Sequence, residues 1–141
     1  FIPFQDPENV GAVIRSAAAF GVSRVVLLRE AAHPFHPKAS RAAGPALFQI
    51  PLLAGPSVAE IGIATGTVPL IALDTEGPEL GERPFPERFG LVVGLEGPGL
   101  PDTLQNVDRR RIAINPEVES LNAATAAAIA LYAWSSRRDS F

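Results

Sequence analysis

The chain contains no cysteine and no methionine. Without cysteine there can be no disulfide, no thiolate nucleophile and none of the usual zinc spacings. Two histidines are present, His33 and His36, in the segment Ala-His-Pro-Phe-His-Pro, where the prolines hold the backbone extended. Two ligands alone make a poor metal site, and no metal is expected. No apolar run approaches the roughly 20 residues of a membrane helix. Phe1-Ile2-Pro3-Phe4 has neither a basic leader nor a signal-type apolar core, so no membrane partner is expected and the expected location is cytoplasmic. The absence of methionine even at position 1 leads us to expect an upstream part outside this chain. Lysine is nearly missing as well: of the 12 cations only Lys38 is not arginine. A net charge of -3 argues against a protein that grips nucleic acid through a broad basic surface. The local groups Arg109 to Arg111 and Arg137 to Arg138 are either solvated element ends or phosphate contacts.

What remains is a chain of 141 residues, 47% hydrophobic, long enough for one substantial core and too short for two. A single domain over 1–141 is expected. The segment 1–4 reads as a short strand. Asp6 can cap a helix whose first position is Pro7, where the missing N–H costs nothing. Val10, Val13, Ile14 and Ala17 then recur at helical spacing up to Gly21, a C-terminal stop. A buried-type strand follows over 23–28. A Pro- and His-rich loop leads to a short helix over 38–43, a strand over 48–50, a helix over 57–64 and a strand over 68–73. The stretch 79–88 is a Pro-punctuated loop, 91–94 a strand, 111–114 the last strand and 122–134 an alanine-rich helix.

Strands alternating with helices imply an α/β fold, a mostly parallel sheet with helices on both faces. In such sheets ligands bind at the carboxyl ends of strands. Three of those ends carry glycine or small polar clusters, after Leu73, after Val93 and after Ile114.

Three segments carry candidate chemistry. In Asp6-Pro-Glu-Asn-Val-Gly-Ala-Val-Ile-Arg-Ser-Ala-Ala-Ala-Phe-Gly21 one cation stands on a small, apolar helix, and Arg15 lies four residues after Gly11, whose bare backbone its stem can cross. Alone, Arg15 would be an ordinary solvated arginine. Gly94-Leu-Glu-Gly-Pro-Gly-Leu100 sets three glycines and one carboxylate directly after a strand, where a ligand can approach the backbone and its N–H groups. The spacing matches neither usual nucleotide fingerprint. Asn115-Pro-Glu-Val-Glu-Ser-Leu-Asn122 joins a polar loop to a helix almost without side-chain bulk, with Ser120 or Asn122 able to cap it.

Together the segments resemble the three motifs of the SpoU-TrmH group of RNA methyltransferases, of the SPOUT superfamily. The first resembles D-P-x-N-x-G-x-x-x-R-x-A-x-x-F-G, the second G-x-E-G-x-G-L, and the third E-S-L-N followed by a small-residue helix. The middle stretch from Lys38 to Phe48 is also similar to the family's segment there. The resemblance runs from the first strand to Tyr132. Ala113 departs from the family's Ile-Pro in the last strand and Pro116 from its glycine, both in the cofactor loop.

The resemblance implies a C-terminal deep trefoil knot, an exception to the rule against threaded chains. It implies a homodimer, an N-terminal RNA-binding extension outside this chain, and transfer of a methyl group from S-adenosylmethionine (SAM) to a ribose 2′-hydroxyl of ribosomal or transfer RNA. Carried over by position, the cofactor contacts are Leu73, Thr75, Gly94, Leu95, Glu96, Gly97, Ile112, Ile114, Ser120, Leu121 and Ala124. The catalytic set is Arg15 with Asn9, Glu96, Ser120 and Asn122. RNA phosphate contacts fall to Arg15, His36, Lys38 and Arg41, with Arg109 to Arg111 extending that surface. Asn9 and Arg15 are about 120° apart around a helix and do not share a face, so we expect a second protomer to supply one of them.

Three alternatives stand beside this reading. A non-catalytic knotted module binding RNA or SAM would carry a spoiled Arg15 or Glu96 position. A knotted enzyme methylating a base would lack the first motif's arginine. A doubly wound nucleotide-binding protein without a knot would carry a phosphate-loop lysine.

Overall fold

A computed structural model describes residues 1–95 and 101–138. Helix α1 (Pro7–Ala19) starts where the sequence places it, with the Asp6 carboxylate accepting from the Glu8 N–H and Pro7 at the first position. Gly21 follows at φ 73°, the left-handed conformation in which a helix commonly ends. After α1 come strand β1 (Val25–Leu27), helix α2 (Pro37–Ala43), strand β2 (Leu52–Ala54) and helix α3 (Ile61–Ala64). Strands β3 (Leu70–Leu73), β4 (Gly90–Val92) and β5 (Asp108–Arg110) follow, then helix α4 (Ala123–Ser135).

All strand pairs are parallel: β1 with β2, and β3 between β4 and β5. The opening segment joins the two groups. Ile2 bridges Leu27 in parallel, while the Phe1 backbone nitrogen donates to the Leu91 carbonyl at 2.8 Å.

Side chains alternate across this layer with the period of a strand. Leu73, Val93 and Val25 pack with α1 and α4 residues such as Val10, Ile14 and Ala127 in one core. Their neighbours Ala72, Val92 and Val26 pack with Ile61 and Leu104 in a second core on the other face. Helices therefore cover both faces, as expected.

Four elements differ from the sequence reading. The segment 1–4 makes an isolated bridge and not a full strand. Residues expected as a strand over 48–50 end a 3-10 turn over Gly44–Phe48, entered through Pro45, and pairing begins only after Pro51. The helix expected over 57–64 starts as a 3-10 turn, Val58–Glu60, closed by a capping box between Ser57 and Glu60. There the Ser57 N–H, its hydroxyl and nearby Arg29 hold the exposed Glu60 carboxyl below the usual carboxylate value.

The last strand is Asp108–Arg110, ahead of the apolar Ile112-Ala113-Ile114 that drew the expectation. Its charged side chains are partnered. Arg110, 2% exposed, donates to Asp108 at 2.8 Å and to the carbonyls of Arg83 and Pro84 at 3.0 and 2.9 Å. Its guanidinium also lies 4.8 Å from the centre of the Phe85 ring.

Candidate active site

The first helix forms the floor of an open cleft of about 590 Å³, with α2 on one side and α4 on the other. Glu8, Asn9, Ala12 and Ser16 line it from α1, Lys38, Arg41 and Ala42 from α2, and Asn122, Ala124, Thr125 and Ala128 from the start of α4. Small residues make the walls close. Gly11 faces the Ala39 carbonyl so tightly that an added Cβ would collide with it. The patch of bare backbone we expected the Arg15 stem to cross is thus filled by α2.

Asn122 caps α4, its side-chain oxygen accepting from Ala124 N–H at 3.0 Å and Thr125 N–H at 3.1 Å. Its amide then donates to the Asn9 side-chain oxygen at 3.2 Å. Two expected catalytic residues, 113 positions apart, thereby meet in one protomer. Ser120, the other candidate cap, is exposed and does not take that role.

Arg15, Lys38 and Arg41 are exposed, and none has an ion pair or side-chain hydrogen bond among the described residues. Arg15 stands about 120° around α1 from Asn9 and is not among the residues that line the cleft. His36 caps α2, its Nδ1 accepting from the Lys38 N–H at 3.1 Å. No group of residues suited to hold a metal occurs among the described residues.

Arg109 to Arg111 do not extend this cationic surface. Arg109 pairs with Asp74 at 3.5 Å and Glu76 at 3.9 Å, Arg110 is buried, and Arg111 pairs with Glu79 at 3.1 Å. These contacts tie the turn after β3 to β5.

Of the expected cofactor residues, Leu73, Thr75, Gly94 and Ile112 lie at or just past the carboxyl edge of β3, β4 and β5, whose parallel register sets Leu73 beside Arg110 and Ala72 beside Val92. Thr75, Gly94 and Ile112 leave that edge two residues past their strands. Gly94 sits at φ 68°, and an added Cβ there would enter the Phe4 ring. Leu73, Ile112 and Ala124 share one packed cluster. Leu95, Ile114 and Leu121 are half-buried and Ser120 is exposed. Glu96 and Gly97 lie outside the described residues.

Over residues 2–132 the sequence matches the model of the SpoU rRNA Methylase family. The chain belongs to that family. Among its relatives is a Syntrophobacter fumaroxidans protein named ribosomal RNA small subunit methyltransferase G 2, 58% identical over 95% of this chain but only 26% of its own length. The Bacillus subtilis 23S rRNA (guanosine(2553)-2′-O)-methyltransferase RlmP is 36% identical over 91% of this chain and 53% of its own. The SpoU methyltransferase AviRb from Streptomyces viridochromogenes, solved with its cofactor AdoMet (SAM), superposes with a TM-score of 0.80 at 29% identity, over 94% of this chain and 56% of that one. This SpoU-family chain therefore spans between a quarter and a little over half of these three proteins.

The sequence left Glu8, Ser16, Thr125 and Ala128 unassigned, although the cleft includes them. The signal was periodic. Glu8, Ala12 and Ser16 recur at four, and Asn122, Thr125 and Ala128 at three, the spacings that align residues on one helix face.

Proposed function

We propose that this chain is a SAM-dependent methyltransferase domain that modifies a ribose 2′-hydroxyl of ribosomal or transfer RNA. The observation that carries the reading is the cleft of a SpoU-family domain holding the Asn9–Asn122 pair, with three cations on α1 and α2 that are unpaired among the described residues, in a chain of net charge -3.

The carboxyl edge suits SAM. Adenine needs apolar walls, which Leu95, Ile112, Ile114 and Leu121 offer half-buried, and its polar edges need backbone groups, which the turns that follow β3, β4 and β5 would supply. Leu73, Thr75, Glu96, Gly97, Ser120 and Ala124 complete the set in this proposal. Bound SAM supplies a methyl group on a positively charged sulfur. Transfer of that methyl to the ribose oxygen would release S-adenosylhomocysteine, and the hydroxyl proton would pass to water in the open cleft.

Guanidinium groups keep their proton in water. We therefore assign Arg15 to the adjacent phosphate and to the negative charge developing on the 2′-oxygen, and not to proton abstraction. Asn9 and Asn122 orient the ribose, while Lys38, Arg41 and His36 hold flanking phosphates. Because Arg15 and Asn9 face apart, the proposal includes a homodimer in which one protomer's Arg15 completes its partner's site. The outer face of α4 supports this, with Ile129 37% and Tyr132 62% exposed. The proposal extends to a C-terminal trefoil knot, to a cytoplasmic location, and to an RNA-binding extension outside this chain that selects the target.

The test is methyl transfer from labelled SAM to ribosomal and transfer RNA, followed by alkaline hydrolysis. A methylated 2′-oxygen cannot attack its own phosphate, so label should appear in alkali-resistant dinucleotides. Label recovered only in mononucleotides would mean base methylation and overturn the ribose assignment.

A further inference from the structure

Beside the cleft lies a feature that methyl transfer does not require. Phe48 is 80% exposed and Phe35 55% exposed, and their ring centres lie 6.1 Å apart. His33 packs against Phe35 with ring centres 5.8 Å apart and a tilt of 45°, and its Nδ1 accepts from the Phe35 N–H at 3.1 Å, which holds the imidazole in place. Single exposed apolar residues are ordinary, whereas clustered ones mark interaction sites.

Charge indicates the partner. No carboxylate occurs from Ala31 to Ala59, in a chain that carries 15 acidic residues. The cations within that stretch, Lys38 and Arg41, are exposed, unpaired among the described residues, and line the cleft. Lys38 lies three positions after Phe35. Glu8 is the one carboxylate among the residues that line the cleft, and it lies across on α1. Exposed aromatics beside a cationic track are the means by which proteins hold unpaired nucleic acid, the rings stacking on bases and the cations tracking phosphates.

Resting on the methyltransferase reading, we propose that Phe35 and Phe48 form a stacking platform for an unpaired base flanking the nucleotide to be modified. The rings stand at 53° to one another, too close and too tilted to admit a base between them. The base therefore stacks on the outward face of Phe48, with Phe35 and His33 bracing that ring from behind. The substrate class follows: RNA in which the target's neighbour is unstacked, as in a loop or bulge, and not a continuous duplex.

The experiment uses this chain and a single-stranded RNA of about a dozen nucleotides, a length suited to such grooves, carrying 2-aminopurine, with the matching duplex as comparison. The single strand should bind with a change in 2-aminopurine fluorescence, and the duplex should bind more weakly without it. Phe48→Ala should weaken single-strand binding about 5- to 100-fold, the range of a lost base–aromatic stack, and abolish the fluorescence change. Phe48→Trp should restore both. Thermal unfolding of Phe48→Ala should match the parent, since the ring is mostly exposed.

Equal binding by parent and Phe48→Ala overturns the proposal, as does equal preference for the duplex. A fall in light-scattering mass on Phe48→Ala also overturns it, by making this face a contact between copies. SAM binding is measured separately. Its absence would sink the methyltransferase reading while leaving the stacking result to stand or fall alone.

Discussion

Arg110 and Arg15 carry the same charge under opposite conditions. Arg110 is 2% exposed, gripping a carboxylate and two carbonyls beneath the Phe85 ring. Arg15 is exposed on α1 without a partner among the described residues. Their neighbours follow the same division. Arg109 and Arg111 are neutralised by Asp74, Glu76 and Glu79, whereas Lys38 and Arg41 are left open on α2. The difference teaches that in an acidic chain the informative cations are those the fold leaves unpaired, since a paired arginine has already spent its donors on carboxylates and carbonyls.

Replacing Arg15 tests this most severely. Arg15→Ala should cut turnover about a thousandfold, the scale of a lost transition-state donor. SAM affinity should stay within a few-fold and the unfolding midpoint should not move. Equal losses of SAM binding and turnover, measured by calorimetry and single-turnover assay, would contradict the role given to Arg15.

Arg110→Ala should invert that pattern, costing about 2 kcal/mol of stability because it takes the donor from two loop carbonyls and from partly buried Asp108. Below its melting temperature the variant should keep most of its turnover. Denaturant titration checks this, and a stable but inactive variant would erase the contrast between the two arginines.

Asn122 stands between the two conditions, being both a helix cap and a cleft residue. Asn122→Ala should lose about 1 kcal/mol through the missing cap. Asn122→Ser should regain most of that stability, since a hydroxyl also caps, yet it is too short to reach Asn9 and should remain slow. Full activity in the serine variant would reduce Asn122 to a cap.

The smallest effects separate the outer cations. Lys38→Ala and Arg41→Ala should each weaken RNA binding a few-fold and lower the salt slope by about 0.7, as for one phosphate on a single strand. Arg109→Ala should leave that slope unchanged and cost less than about 1 kcal/mol, as for an exposed ion pair. A slope change equal to that of Arg41→Ala would return Arg109 to the RNA surface.

Much of the fold was legible because its signals are local. Asp6-Pro7 at the start of α1, Gly21 at its end and Asn122 ahead of the alanines each act within one turn, so a linear sequence exposes them. β5 was misplaced because its residues are charged. Arg110 enters the interior only because Asp108 and two loop carbonyls meet it there, and no local pattern announces such partners. For the same reason Arg109 and Arg111 read as part of a phosphate surface when their acidic partners, Asp74 and Glu79, lay more than 30 positions earlier. For the site, Arg15, Asn9 and Asn122 were named through the family resemblance, but the Asn9–Asn122 bond was not foreseen. The helix geometry that correctly separated Asn9 from Arg15 says nothing about a helix more than a hundred residues later. Glu96 and Gly97 fall outside the described residues, so the glycine loop rests on sequence.

The bond between Asn9 and Asn122 has a consequence for the order of events in synthesis. Arg15, Lys38 and Arg41 are made early and sit on two helices locked together at Gly11. The amide that joins them to the last helix emerges only when nearly the whole domain has left the ribosome. On the proposed function, a product truncated before α4 would carry the exposed cations and no completed site, a binder without the reaction. Tying the first helix to the last would make competence a property of the finished domain.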